Sequence, residues 1–206
     1  MNGIAGIVDF GLCNLDSIAR AVERAGWRPR VVRACGNLSD VDKIIIPGVG
    51  AFRAAMGNLT QAGLDEEIRE ERQRRALPIL GICLGMHLLA ELGHEGGETQ
   101  GLGLLSGEIH KLPASNSGDR LPHIGWNEVD EFTSHPIMRD IEPETDFYFV
   151  HSYHFVPRSE ANIIATTPYC DRFVSIAAAD TVIGVQFHPE KSLGAGAILL
   201  RNFLQL

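Results

Sequence analysis

The chain has 206 residues, 45% of them hydrophobic and 21% charged, and a formal net charge of −8. That length suits one large domain with an ample core, and the acidic balance argues against nucleic-acid partners, which require a basic footprint. The start Met1-Asn2-Gly3-Ile4 carries no basic leader, no run is long and apolar enough to span a membrane, and the cysteines Cys13, Cys35, Cys83 and Cys170 form no C-x-x-C pair; a reducing, cytoplasmic setting without a zinc knuckle or redox dithiol is expected.

Ile4 to Val8 is an apolar run that ends at Asp9-Phe10-Gly11 and reads as a buried strand. Leu15 to Ala25 has a helical period, with Gly26 as its stop. Strands follow at Pro29 to Val32 and at Asp42 to Ile46, the latter running into Pro47-Gly48-Val49-Gly50. Helical pattern covers Phe52 to Met56 and Leu64 to Arg75; the arginines of the second stretch alternate with glutamates and read as a solvated face. Pro78 to Ile82 is a fourth strand, which feeds Cys83 and a helix from Leu84 to about Leu92.

Beyond that helix the character changes. Gly93 to Gly103 reads as loop, followed by strands at Ile109 to Leu112, Trp126 to Val129, Phe147 to Val156, Ile163 to Thr167, Phe173 to Ala178 and Val182 to Phe187, with a closing helix over Ala195 to Leu204. Alternating strands and helices in the first half imply a mostly parallel central sheet with helices on both faces, and the second half adds antiparallel strands. The expectation is one α/β domain over residues 1–206. Sites in such sheets gather at the carboxyl ends of the strands, where both Pro47-Gly48-Val49-Gly50 and Cys83 fall.

Gly81-Ile82-Cys83-Leu84-Gly85 has the form of a nucleophile elbow with sulfur in place of a serine hydroxyl. A thiol nucleophile needs a base, and the base an orienting group. Phe187-His188-Pro189-Glu190 supplies both: in extended backbone residues i and i+2 point the same way, so Glu190 can brace the His188 ring. Taken singly, Cys83 also fits a core thiol and His188 a surface-loop histidine; the glycine geometry and the His-x-Glu pairing together favour catalysis. The residue after the nucleophile at such an elbow lends its N–H to the oxyanion, here Leu84. Pro47-Gly48-Val49-Gly50 fits either a second donor loop or a plain turn. His94, His110 and His135 show no partner pattern and read as structural or solvated. No metal cluster, nucleotide-binding glycine fingerprint or other cofactor motif is expected.

These segments resemble the class I (triad-type) glutamine amidotransferases and, more narrowly, the HisH family of glutaminase subunits. The likeness runs through Val8-Asp9-Phe10-Gly11, Ile46 to Phe52, Gly81 to Met86, Gly101 to Leu104, Pro122-His123-Ile124-Gly125-Trp126-Asn127, Phe149 to Tyr153 and Gly184 to Ser192. It implies that Cys83 attacks the side-chain amide of glutamine, that His188 carries the proton to departing ammonia, and that Glu190 orients His188. It further implies an oxyanion site from the backbone of Val49, Gly50 and Leu84, and a glutamine pocket at Gly48, Gly50, His87, Ser152 and Tyr153. The implied partner is a HisF-like (β/α)8-barrel cyclase of histidine biosynthesis, reached through Asn14, Trp126 and Lys191; alone, these three also read as a helix cap, a core tryptophan and a solvated lysine.

Two positions depart from the family pattern. The family reads C-x-G-x-Q after the nucleophile, whereas this chain has Cys83-Leu84-Gly85-Met86-His87, and Leu12-Cys13-Asn14 lacks the usual glycine. A histidine still donates a hydrogen bond but with a different reach and an ionisable ring. The departures leave open a paralogue that feeds ammonia to another synthase, such as one forming acetamidino sugars, and a scaffold without activity. A cysteine hydrolase of small γ-glutamyl substrates is a further alternative.

Overall fold

A computed structural model describes residues 3–113 and 119–206; Met1 and Asn2, on which the reading of the chain's start rests, lie outside the described residues. In chain order the elements are β1 (Ile4–Val8), α1 (Leu15–Arg24), β2 (Arg28–Val32), β3 (Lys43–Gly48), α2 (Phe52–Gln61), α3 (Leu64–Arg75), β4 (Ile79–Cys83), α4 (Leu84–Leu88), β5 (Leu92–Gly93), β6 (Thr99–Gln100) and β7 (Gly107–Lys111). There follow β8 (His123–Val129), β9 (Glu131–Phe132), β10 (Thr145–His151), β11 (Tyr153–Pro157), β12 (Ile163–Thr167), β13 (Phe173–Ala179), β14 (Val182–Val185) and α5 (Leu193–Gln205).

The main sheet has eight strands in the order β2-β1-β3-β4-β14-β13-β12-β9. The pairs from β2 through β14 are parallel, and those beyond β14 are antiparallel. This is the single α/β domain read from the pattern. Because side chains alternate along a strand, β3 sends Ile45 to one face and Ile44 and Ile46 to the other, all fully buried. The Ile45 face packs on α1 and α5 through Ile18, Val22, Leu199 and Phe203, while the Ile44 face packs on α2 and α3 through Phe52, Leu59 and Ile68. Burial on both faces is why these strands read as continuous apolar runs rather than alternating ones.

Three expectations need correction. Phe147 to Val156 is two strands that part at Ser152: β10 pairs with β8 in a two-stranded sheet, and β11 joins the sheet β11-β7-β5-β6. The helix after Cys83 ends at Leu88 rather than near Leu92. Its terminal carbonyls are taken by a later turn, with Leu102 N donating to Leu88 O at 2.8 Å and Leu104 N to Leu89 O at 2.8 Å. The stretch read as loop holds β6 and the last residue of β5, Gly93. Finally, α3 does not merely face solvent. Arg75 donates to the carbonyls of Val41 (3.1 Å) and Leu38 (2.9 Å), Arg69 to those of Leu102 and Gly101 (both 3.1 Å), and buried Glu71 accepts from Arg74 and Arg75.

Candidate active site

Strands β3, β4 and β14 end side by side, and their termini carry the site. Gly48 pairs with Cys83, and Val185 with Ile82. Cys83 adopts φ 53° and ψ −111°, a strained conformation for a residue with a side chain that persists only where packing over-determines it. The flanking glycines make the packing possible. A Cβ on Gly85 would lie 1.6 Å from Ile46 O, and one on Gly81 would lie 2.6 Å from Gly85 O. The turn thus needs hydrogen at both flanks, and it lifts the thiol out of the sheet.

His188 follows β14 and is 2% exposed. Its Nδ1 lies 2.8 Å from Glu190 Oε1, which leaves Nε2, buried and without a hydrogen-bond partner among the described residues, for the sulfur side. Burial alone would lower the imidazole pKa; Cys83 and Glu190 outweigh it and raise the pKa to about 9. The ring is thereby biased toward its protonated form beside the Cys83 sulfur. The loop is pinned from below: His188 N donates to Tyr148 O at 2.9 Å, and Ser192 Oγ donates to His188 O at 2.7 Å while accepting from Tyr148 N at 3.0 Å.

The thiol opens into a cavity of about 310 Å³ lined by Val49, Gly50, Leu84, His87, Glu95, Pro122 and the segment from Val150 to Tyr153. The expected pocket residues Gly50, His87, Ser152 and Tyr153 all line it; Gly48 does not. Gly48 packs beneath the elbow, where a Cβ would lie 2.8 Å from Phe10 Cζ. His87 is neutral, its pKa pushed down to about 4 by burial despite its bond to Gln186. Its Nε2 lies 2.8 Å from Gln186 Oε1, and Gln186 Nε2 reaches Cys83 Sγ at 3.9 Å. A neutral His87 that donates to the Gln186 carbonyl turns the amide NH2 toward sulfur.

Val49 does not meet its expected oxyanion role in this conformation: its N–H donates to Leu12 O at 2.8 Å. Gly50 beside it has φ 105°, a region open to glycine, so the adjoining peptide has conformational room to turn.

Of the expected partner-facing residues, Trp126 is 48% exposed, which excludes a core role, and Asn14 is exposed and makes no helix-capping hydrogen bond. Lys191 is exposed, with its ammonium 5.6 Å from the centre of the Tyr148 ring. Trp126 and Tyr148 pair across β8 and β10 with ring centroids 6.0 Å apart. Glu95 and His151 line the cavity and Gln186 reaches the thiol; none was assigned a role from the sequence, although His151 and Gln186 lie in segments that carry the family likeness. His135 caps a turn, accepting from Ile137 N at 3.2 Å, whereas His94 and His110 both face Glu108.

A cysteine on a strained elbow beside a small cavity, with a histidine held by a carboxylate, is the arrangement expected of a thiol-dependent amidohydrolase. The model of the class-I glutamine amidotransferase family matches residues 6–206, and the chain belongs to that family. It is 45% identical to the imidazole glycerol phosphate synthase subunit HisH of Moorella thermoacetica over 97% of this chain and 93% of that protein. The HisH subunit of Aquifex aeolicus is 41% identical over 96% and 94%, respectively. Among solved structures, a glutamine amidotransferase superposes with a TM-score of 0.77 at 20% identity, covering 98% of both chains. PurLQS from Thermotoga maritima gives 0.75 at 21%, covering 100% of this chain and 99% of that one. At these identities the structural likeness is one of fold.

Proposed function

We propose that the chain is the glutaminase subunit of a two-component synthase of histidine biosynthesis, hydrolysing L-glutamine to glutamate and passing ammonia to a HisF-like cyclase subunit. The observation that carries this reading is Cys83 at the cavity wall with a buried His188 behind it that feels both the Cys83 sulfur and Glu190, the latter at 2.8 Å. The identity to HisH subunits across nearly the whole chain supports the choice of pathway and partner.

In this mechanism the Cys83 thiolate adds to the side-chain carbonyl carbon of glutamine, and the oxygen becomes an oxyanion. Leu84 N–H, at the start of α4, is the donor already in place; the Val49 peptide becomes the second once it releases Leu12. The imidazolium of His188 gives its proton to the amide nitrogen, the C–N bond breaks and ammonia leaves. Water then attacks the glutamyl thioester, His188 takes up its proton, and glutamate departs with the thiolate restored. Glu190 fixes the ring throughout. The Glu95 carboxylate is suited to the substrate's α-ammonium group, and its hold on Phe52 N at 2.7 Å keeps it at the cavity.

The partner covers the face that bears Ile124 (60% exposed), Trp126, Lys191 and Asn14. Strand β10 runs under that face and reaches the chemistry at two points, through Tyr148 O on His188 N and through Val150 O, which lies 3.8 Å from Cys83 Sγ. Docking there can therefore bear directly on the triad. The test is Cys83→Ala: glutamine hydrolysis is expected to vanish while ammonia-dependent synthesis by the two-subunit complex persists. Residual glutaminase activity would show that the nucleophile is another residue.

A further inference from the structure

His94, Glu108 and His110 converge on the small sheet away from the catalytic cavity. The backbone explains the meeting. Glu108 and His110 are two apart on β7 and share a face. Strand β5 runs parallel to β7 with Gly93 opposite Ile109, and His94 N donates to Ile109 O at 3.1 Å, which sets its side chain beside the other two. Glu108 Oε2 lies 2.8 Å from His94 Nε2 and 3.3 Å from His110 Nε2, and the three atoms are all within 4.8 Å of one another. The two rings stack with centroids 4.4 Å apart. All three side chains are partly exposed, so one side of the cluster is open to water.

The donor chemistry is selective. Two imidazole nitrogens and one carboxylate oxygen suit borderline divalent ions; calcium and magnesium prefer all-oxygen shells. Ligand bonds of about 2.0–2.2 Å place donors on one four-coordinate zinc roughly 3.3 Å apart. The 2.8 and 3.3 Å separations lie just below and at that spacing, and the third is within 4.8 Å, so small side-chain rotations can fit an ion. Arg158, the nearby cation, sits on the opposite side of the carboxylate. It reaches Glu108 Oε1 at only 3.8 Å and pairs with Glu91 at 2.9 Å, leaving Oε2 to the rings.

We propose that His94, Glu108 and His110 form a binding site for a borderline divalent cation such as Zn²⁺, with water completing the coordination. The ion ties β5 to β7. It also restrains the segment next to Glu95, which lines the catalytic cavity and holds the first N–H of α2.

The test titrates the full chain with ZnCl₂ by calorimetry and with CoCl₂ by absorption. One ion per chain is expected, with a cobalt spectrum of nitrogen and oxygen ligation and no sulfur-to-cobalt charge-transfer band. Losing an outer-shell partner of a metal site costs about 10–100-fold in affinity, so His94→Ala and His110→Ala are each expected to weaken binding by about 100-fold or more. The near-isosteric Glu108→Gln should weaken it as well while leaving the circular dichroism and thermal midpoint of the metal-free chain unchanged. Absence of saturable binding would overturn the proposal. So would a stoichiometry that survives the double His94→Ala/His110→Ala substitution, or a thiolate band placing the ion at a cysteine.

Discussion

His188 and His87 sit in the same buried end of the sheet and are driven in opposite directions. His188 has a carboxylate and a thiol beside it, and its pKa rises to about 9; His87 has only the Gln186 amide, and its pKa falls to about 4. Glu190→Gln removes the charge that holds His188 in its protonated orientation. The expected result is a fall in kcat of about 100-fold or more, as for loss of general acid–base function, with a small change in the KM for glutamine. A large KM effect at unchanged kcat would move Glu190 out of the proton path. His87 makes a stability prediction. Its folded pKa lies below the usual 6.5, so the unfolded chain takes up a proton that the folded one refuses, and stability present above pH 6.5 is lost as pH falls toward 4. His123 and His154, likewise lowered to about 4 by burial, act in the same direction. Each proton contributes a slope of about 1.4 kcal/mol per pH unit. His87→Gln keeps a donor for Gln186 and removes one titrating group, so the fall in urea midpoint between pH 7 and pH 5 should be shallower than in the parent. An identical fall would show that His87 does not titrate in this window. Glutamine binding should be preserved in the same variant, and a large rise in KM would give His87 a role of its own.

Elements were legible where local pattern and tertiary environment agreed. Ile4–Val8 and Ile163–Thr167 were read to the residue because each is a short β-branched, largely apolar run bounded by a turn signal, Asp9-Phe10-Gly11 and Pro168 respectively. The break at Ser152 left no mark, since β10 and β11 carry the same mix of aromatic and β-branched residues and part only because they join different sheets. The end of α4 was equally hidden, being set by amides from Leu102 to Leu105 rather than by a local stop residue. The proposed triad was legible because the elbow glycines and the His188–Glu190 i, i+2 pairing are local signals. Glu95 and Gln186 were not, because their roles come from strand register and a turn elsewhere in the chain. Glycine substitutions separate the two kinds of constraint. Gly85→Ala forces a Cβ onto Ile46 O and is expected to destabilise the fold by more than about 4 kcal/mol, in the tail reserved for severe strain. Gly57→Ala, in α2 with nothing within 4 Å of the new Cβ, is expected to stabilise by about 0.5–1 kcal/mol. Paired urea titrations read both, and a tolerated Gly85→Ala would refute the close-packed elbow.

Across the whole molecule, the proposed catalytic groups and the proposed partner-facing groups lie on connected elements. The two-stranded sheet presents Ile124 and Trp126 outward, while the same strand pair touches His188 and Cys83 from within. The Val49 amide, held by Leu12, leaves the proposed oxyanion site short of one donor; the isolated chain is therefore expected to be a slow glutaminase that accelerates when the cyclase and its nucleotide ligand bind. Removing one oxyanion donor costs about 10²–10³ in kcat in a comparable hydrolase, which sets the scale of the stimulation. Trp126→Ala should weaken subunit association by about tenfold or more, as for an aromatic interface anchor, and analytical ultracentrifugation with the cyclase would measure it. None of the helices among the described residues is long and apolar enough to cross a bilayer. The most direct measurement is covalent labelling by 6-diazo-5-oxo-norleucine, an electrophilic glutamine analogue, followed by peptide mass spectrometry. The label is expected on Cys83 alone, slowed by added glutamine and nearly lost in His188→Asn. Modification of Cys13, Cys35 or Cys170 in its place, or labelling of Cys83 at a rate indifferent to both glutamine and His188, would contradict the assignment of the triad.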